Sequence, residues 1–527
     1  MTEKRQFRAI KGTRDILPPD SALWNWFERT AREVFETYGF GEIRLPVFEK
    51  LELFVRSVGA DTDIVSKEMY TLDLTAFPEV QGPLRYLIES TDDPLRFTGW
   101  LYELLRGLTL AGESDRLEKA ADWTKEAITK LTEIHRQLHQ AIADDRLLME
   151  SQREPSKHPE IHGLIRDAAL IATSIRVTPE MAGLRPEATA GVARAYIEHG
   201  MHTLPGNVKL YYVGPMFRRE RPQKGRYRQF YQVGAEVLGQ SDAPTIDAEV
   251  LEMLLVLFGR VGLTNIKLYV NSIGCKECRP KYVELLRGEL QKVKDKLGAD
   301  SHRRIDTNPL RVLDSKLPEE QAIIETLPRI SDHLCADCLA HFAKLKEELK
   351  LRGIDYEENW RLVRGLDYYT RTTFEVTAAG LGSQNAVCGG GRYDGLVELL
   401  GGQQTKGIGF AIGTDRAILS IQEGATAPKL PGLGVYVAWM GAKSYPTAVA
   451  IACKLRECGI GVELPPEEMK FKKSLGLADK LGARYALIIG EDEVASGVYT
   501  LKRLADADQR KLNENDLLEY LESERRS

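Results

Sequence analysis

YYVGPMFRRERPQKGRYRQFYQVGAE, from Tyr211 to Glu236, decides how the rest of the chain is read. Leu210 to Phe217 is an apolar, aromatic run that reads as a strand ending in Arg218, Arg219, Glu220 and Arg221. Pro222, Gln223, Lys224 and Gly225 mark a turn, and Arg226 to Glu236 reads as a returning strand of roughly alternating polar and apolar residues. A hairpin with arginines at several offsets and Phe230 among them suits a triphosphate and a flat base, because guanidinium forks pair with phosphate oxygens and stack on rings. A solvated basic hairpin is the plainer alternative, and other parts of the chain decide between the two.

Working outward, 527 residues are too many for one core, and two to four domains are expected. Hydrophobic content of 43% and charged content of 28% describe an ordinary soluble globular chain. A net charge of -5 excludes wholesale basic coating of a nucleic acid, so any RNA contact is expected at local patches such as the hairpin tip, and none with DNA. No apolar run approaches the roughly 20 residues of a membrane helix, and Met1 to Ile10 is charged, unlike a secretory signal. The expected location is therefore the cytoplasm, without a membrane partner. Seven cysteines in a chain of this kind fit reduced thiols better than a disulfide framework.

Upstream, KGTRDILPPDS is a loop in which Asp20 or Ser21 can cap a helix from Ala22 to Tyr38, its stripe formed by Leu23, Trp26, Phe27, Ala31, Val34 and Phe35. Glu42 to Phe48 reads as a short strand interrupted by Pro46, suited to an edge or an interface. Residues 74 to 182 change character to a mostly helical inserted module. One helix capped by Ser114 carries Leu117, Ala121, Ile128, Leu131, Leu138 and Ile142, and a second lies within Leu84 to Leu110. His135 and His139 are one turn apart but lack a third ligand, and read as surface histidines. In LRPEATAGVARAYIEHG, Glu187 and Thr189 either cap the following helix or receive an ammonium group.

Downstream, Asp247 to Phe258 is an amphipathic helix. Cys275 and Cys278, then Cys335 and Cys338, form two C-x-x-C pairs. Four thiolates would close a tetrahedral structural zinc site with no open position for catalysis; unligated, partly buried thiols are the alternative. LVRGLDYYTRTTFEV (Leu362 to Val376) gathers Arg364, Asp367, Tyr368 and Tyr369 ahead of a strand. CGGGRYDGL (Cys388 to Leu396) reads as a glycine-rich turn that lets backbone approach a ligand. GIGFAIGTDRAIL (Gly407 to Leu419) reads as a strand followed by a helix with Arg416 in its first turn. Beyond a Pro/Gly linker at Ala425 to Gly434, strands and helices alternate as a small doubly wound α/β domain.

These pieces resemble the histidyl-tRNA synthetase family of class II aminoacyl-tRNA synthetases. FGEIRLPVF looks like the class's motif 1, Tyr211 to Glu236 like motif 2, and GIGFAIGTDRAIL like motif 3, while LVRGLDYYTRTTFEV and CGGGRYDGL are similar to the histidine-specific signatures. The resemblance implies an α+β catalytic domain on an antiparallel class II synthetase sheet, with helical insertions and a C-terminal α/β anticodon-binding domain. The expected division is a catalytic core of 1–73, 183–260 and 352–424, the extra helical module at 74–182, an insertion domain at 261–351 with the two cysteine pairs, and the anticodon-binding domain at 432–527. It implies a homodimer and a histidine-tRNA ligase that uses histidine, ATP with Mg²⁺, and tRNA(His); a regulatory paralogue that binds histidine without charging tRNA is the second reading.

In that scheme Arg364 and Arg218 are catalytic. Glu187, Thr189, Gln232, Glu236, Tyr368, Tyr369 and Tyr393 hold histidine. Arg218, Glu220, Arg226, Tyr227, Phe230 and Arg416 hold ATP, and Gln223 meets the tRNA acceptor end. Three departures from the family pattern stand out: Ala188 where glycine is frequent, expected to narrow the amino-acid pocket slightly; Asp415 where glutamate is more usual; and the helical module itself.

Overall fold

The computed structural model describes residues 7–59, 62–73, 86–87, 94–112, 122–142, 159–174, 181–379, 385–424, 427–428 and 432–526. The chain forms two compact units, one ending at Ala427 and one beginning at Pro428.

The first unit is built on a mixed sheet of eight strands. They are β1 (Gly41–Glu42), β5 (Val208–Phe217), β6 (Gln229–Gly239), β7 (Ile266–Ser272), β8 (Glu357–Glu358), β9 (Thr370–Ala378), β10 (Ala386–Arg392) and β11 (Lys406–Gly413), in the spatial order β1-β5-β6-β11-β10-β9-β7-β8. The run from β5 to β7 is antiparallel throughout, and β1 and β8 add a parallel strand at each edge. Helices Asp20–Thr37, Pro244–Arg260 and Ala336–Leu351 pack on one face. Beneath that face, Asp247 is fully buried, accepts from Thr372 Oγ1 (2.7 Å) and pairs with Arg392, whose guanidinium also meets Asp394 at 3.0 Å. A buried cation matched by two carboxylates locks helix Pro244–Arg260 to β9 and β10.

Several expectations shift. The hairpin's strands are longer at their outer ends than read, and the return starts at Gln229 because Arg226 closes a tight turn with Gln223 through two backbone bonds of 3.1 and 2.9 Å. Gly225 has φ +74°, the left-handed conformation that this turn needs. Glu42 to Phe48 is not one strand: pairing stops after Glu42, and Phe48–Lys50 (β2) joins β3 (Thr71–Asp73) and β4 (Met181–Leu184) in a separate small sheet. Pro46, which has no N–H, lies in the break. CGGGRYDGL is not a turn, since its glycines are the middle of β10. The first helix starts at Asp20, directly after Pro19 and without a side-chain cap, and buries Trp24 where Trp26 was expected.

In the inserted module, helices Pro94–Gly112, Asp122–Ile142 and Pro159–Ser174 surround a core of their own that includes Leu87, Phe97, Leu101, Leu104, Leu131, Leu138, Ile161 and Ile165. The expected cap Ser114, with Leu117 and Ala121, lies outside the described residues. His135 is half-buried beside Tyr102 and His139, and His139 is exposed.

The second unit has a sheet ordered β13 (Val462–Glu463), β12 (Val435–Trp439), β14 (Tyr485–Ile489), β15 (Val498–Arg503), β16 (Gln509–Asn513). Its first three strands are parallel and the last two antiparallel, so it is mixed and only its first half is wound as expected.

Candidate active site

Strand register brings the candidate residues together. On the face of the large sheet opposite the helices, Gln232 and Glu236 of β6 stand beside Gly413 and Gly409 of β11, and Gly389 of β10 stands beside Glu375 of β9. The central positions of this face carry almost no side chain. A Cβ on Gly409 would land on the Glu236 carboxylate, one on Gly389 would land on the Arg364 guanidinium, and one on Gly407 would meet the Tyr393 ring. The glycines open a cavity of about 310 Å³ lined by residues of the hairpin, of both signature segments and of the helix Thr414–Glu423. That volume lies within the range of small-molecule sites.

One end of the cavity is acidic and aromatic. Glu187 accepts from the backbone N–H groups of Thr189 (2.7 Å) and Ala190 (3.0 Å), so it caps helix Thr189–Glu198 and lines the cavity at once. The two alternatives for this loop are therefore compatible. Tyr368 donates to Glu187 at 3.3 Å; Thr189 Oγ1 and Tyr393 OH each donate to Glu236 at 2.7 Å. Glu236 is 1% exposed, and burial pushes its carboxyl up to about 8 despite those two donors, with Glu187 adding repulsion. Burial also raises Glu187, offset in part by the N–H groups it caps. Tyr369 packs against Tyr368, with ring centres 4.8 Å apart. The buried Gln232 Oε1 has no hydrogen-bond partner among the described residues, and an acceptor of that kind fits an incoming donor.

The other end is basic. Arg218 donates to Pro186 O at 3.0 Å and lies 5.2 Å over the Phe230 ring. Glu220 stands between Arg218 (3.8 Å) and Arg226 (3.1 Å), and its Oε2 is buried without a well-aligned hydrogen bond. Arg416 is fixed by Ala386 O at 2.8 Å, and Tyr227 carries Arg14 over its ring at 4.3 Å. Arg364 lines the same cavity. Its Nη1 meets Glu375 at 2.8 Å, and its Nε is buried with no hydrogen-bond partner among the described residues. Gln223 is at the hairpin tip and does not line the cavity. Ala188 does not narrow the pocket as expected; it is buried in the hydrophobic core behind it. Asp415 accepts from Tyr231 N–H (2.9 Å) and Arg14 (3.0 Å), joining the last helix to β6.

Glu375 and Tyr212 are among the lining residues to which sequence reasoning gave no role. Glu375 is the lone acidic residue of its strand, and Tyr212 lies across from Gly234 in register. Period-two alternation from Thr373 and from Gly214 places both on the cavity face.

The four cysteines converge away from this cavity. Cys278 precedes helix Arg279–Lys292, and Cys335 precedes helix Ala336–Leu351 with Cys338 in its first turn. Sγ separations are 3.8 Å for Cys275–Cys278, 3.8 Å for Cys275–Cys335 and 3.9 Å for Cys278–Cys338, and all four lie within 4.8 Å of one another.

A largely antiparallel sheet with a basic hairpin along one edge of its cavity and a helix-borne arginine at the basic end fits a class II aminoacyl-tRNA synthetase. A family model for histidyl-tRNA synthetase matches residues 168–417, and one for an anticodon binding domain matches residues 434–524. A histidine-tRNA ligase of Koribacter versatilis is 44% identical over 518 residues, 98% of this chain and 96% of that one. One of Solibacter usitatus is 40% identical over 517 residues, 98% of this chain and 99% of that one. Among solved structures, the apo histidyl-tRNA synthetase of S. aureus matches with a TM-score of 0.65 and 28% identity, covering 98% of this chain and all of that one. The chain belongs to the histidyl-tRNA synthetase family.

Proposed function

We propose that this chain is a histidine-tRNA ligase, activating histidine with ATP to histidyl-adenylate and passing the histidyl group to the 3' end of tRNA(His). In the first step a carboxylate oxygen of histidine bonds to the α-phosphorus while the bond to the bridging oxygen breaks and pyrophosphate leaves. In the second, a terminal tRNA hydroxyl attacks the histidyl carbonyl and AMP departs. The observation that carries this reading is the position of Arg364 in one cavity with an acidic, aromatic end suited to histidine and a basic end suited to a nucleotide.

The roles follow from chemistry. Glu187, Thr189 and the unpaired Gln232 Oε1 receive the ammonium end of histidine, and Glu236 with Tyr393 and Tyr369 faces its imidazole. Phe230 stacks on adenine and Glu220, which lines the same end of the cavity, accepts from its amine. Arg226 and Arg416 hold the outer phosphates. Arg218 and Arg364 flank the α-phosphate, where Arg364 answers the charge that gathers as the carboxylate attacks. Tyr227 borders the nucleotide, and Gln223 at the hairpin tip meets the acceptor end.

Mg²⁺ fits this site as a partner of the ATP phosphates, where the lining carboxylate of Glu375 would supply an oxygen and the phosphates and water the rest. When bound it neutralises the leaving pyrophosphate. Zinc fits the cysteine cluster: a tetrahedral ion with sulfur ligands at about 2.3 Å sets them about 3.8 Å apart, close to the separations found. The unit from Pro428 onward binds the anticodon, residues 261–351 are the insertion domain, and 74–182 is the extra module. A homodimer is supported by exposed Val47, Phe48 and Leu72 around the motif 1 segment. Among the described residues no helix is long and apolar enough to cross a membrane, in keeping with a cytoplasmic site of action.

The regulatory alternative is disfavoured by the presence of Arg364 and of an anticodon-binding match. The test is amino-acid-dependent ATP-pyrophosphate exchange across the twenty amino acids. Exchange with histidine alone, reduced about 10²- to 10³-fold by Arg364→Ala, is expected; histidine binding without exchange would overturn the assignment.

A further inference from the structure

The cysteine cluster and the histidine pocket are joined by two arginines. Arg279, the residue after Cys278, donates from Nη1 to the carbonyl oxygen of Tyr369, and its ionisable neighbours are Asp367, Cys275 and Cys278. Arg371 faces Cys338 and pairs with Asp242 at 2.7 Å. Its backbone is tied on both sides to the turn that carries the first cysteine pair: Ile273 N–H donates to Arg371 O, and Arg371 N–H to Gly274 O, each at 2.8 Å. Arg371 also has φ +50°, a conformation that a non-glycine residue keeps only where its surroundings impose it. The segment held in this way, Arg364 to Arg371, carries Arg364, Tyr368 and Tyr369, which line the cavity.

We propose that zinc held by Cys275, Cys278, Cys335 and Cys338 positions the histidine-facing loop, with Arg279 and Arg371 as the positioning residues that transmit its hold. The inference rests on the zinc reading given above. Binding releases four thiol protons to solvent and leaves a tetrathiolate complex of net charge minus two, which needs nearby cations. Arg279 and Arg371 supply them, and each is also attached to the loop, so the metal's ligand shell and the pocket wall share the same side chains. Without the metal, four separate thiols no longer hold Arg279 against Tyr369, and the aromatic wall loosens while Arg218, held by Pro186 O, and Arg416, held by Ala386 O, keep their own supports.

The full chain is purified without added metal and analysed for zinc; histidine affinity is then measured by calorimetry and KM values by pyrophosphate exchange. About one zinc per chain is expected, lost in Cys335→Ser. Arg279→Gln is expected to retain the zinc and to weaken histidine binding about tenfold, with KM for histidine rising and KM for ATP unchanged. No zinc in the wild-type chain, even after incubation with zinc salt, would overturn the metal reading itself. Zinc present in Arg279→Gln together with histidine affinity within twofold of wild type would leave the metal in place and overturn the link to the pocket. Should Cys335→Ser fail to fold, Arg279→Gln still decides the point, because it leaves all four thiols intact.

Discussion

Replacing Gly389 with alanine tests whether the position of Arg364, rather than its mere presence, sets the rate. Gly389 has no positive φ, so alanine is compatible with the backbone of β10, and the backbone effect alone favours alanine by about 0.5–1 kcal/mol. The new Cβ, however, would lie 2.5 Å from Arg364 Nη1 and closer still to Nη2 and Cζ, where ordinary contact begins near 3.4 Å. The guanidinium must move by about 1 Å or more, giving up its 2.8 Å pairing with Glu375. A displacement of about 1 Å at a reacting centre costs roughly 10²-fold in rate. Histidine-dependent pyrophosphate exchange in Gly389→Ala should therefore fall about 10²-fold in kcat, with KM for ATP little changed and the unfolding midpoint near that of wild type. A folded variant exchanging within threefold of wild type would refute the reasoning, since the guanidinium would then tolerate displacement without consequence.

The Glu236 carboxyl, held up to about 8 by burial against an ordinary 4.5, makes the ligand-free protein lose stability as pH rises. The contribution is complete below about pH 4.5 and is lost on rising through 8, amounting to up to about 5 kcal/mol. Urea midpoints at pH 5 and pH 8 should differ less in Glu236→Gln than in wild type, and an unchanged difference would rule out a buried neutral carboxyl. Asp247→Ala leaves Arg392 buried with Asp394 as its remaining carboxylate and should destabilise the first unit by about 3 kcal/mol in denaturant unfolding; a loss under about 0.5 kcal/mol would show that the pair is dispensable.

Much of the site was legible because its residues sit in short motifs whose chemistry is local: Arg218 and Arg226 of the hairpin, Glu187 and Thr189, and Tyr368 and Tyr369 all line the cavity. The third motif was read for its strand and helix alike. What resisted reading depended on long-range pairing. CGGGRYDGL reads as a turn because three glycines weaken a strand on propensity alone, yet β9 and β11 on either side supply the ladder that holds it extended. Glu42 to Phe48 carries strand-like residues, but its pairing partners belong to two different sheets. Asp247 looked like one polar residue on an amphipathic helix, and its partner Arg392 is far along the chain.

The bare face of the central sheet bears on selectivity. A hollow produced by leaving side chains out has a floor of hydrogen-bonded main chain, which cannot rotate aside or fold over a bound molecule. Its outline is set when the strands pair, before any ligand arrives, so little reorganisation accompanies entry. The same floor can change in one direction only, because every substitution at Gly389 or Gly409 adds atoms and shrinks the hollow. Accepting a bulkier amino acid would therefore have to come from the surrounding aromatic and acidic walls.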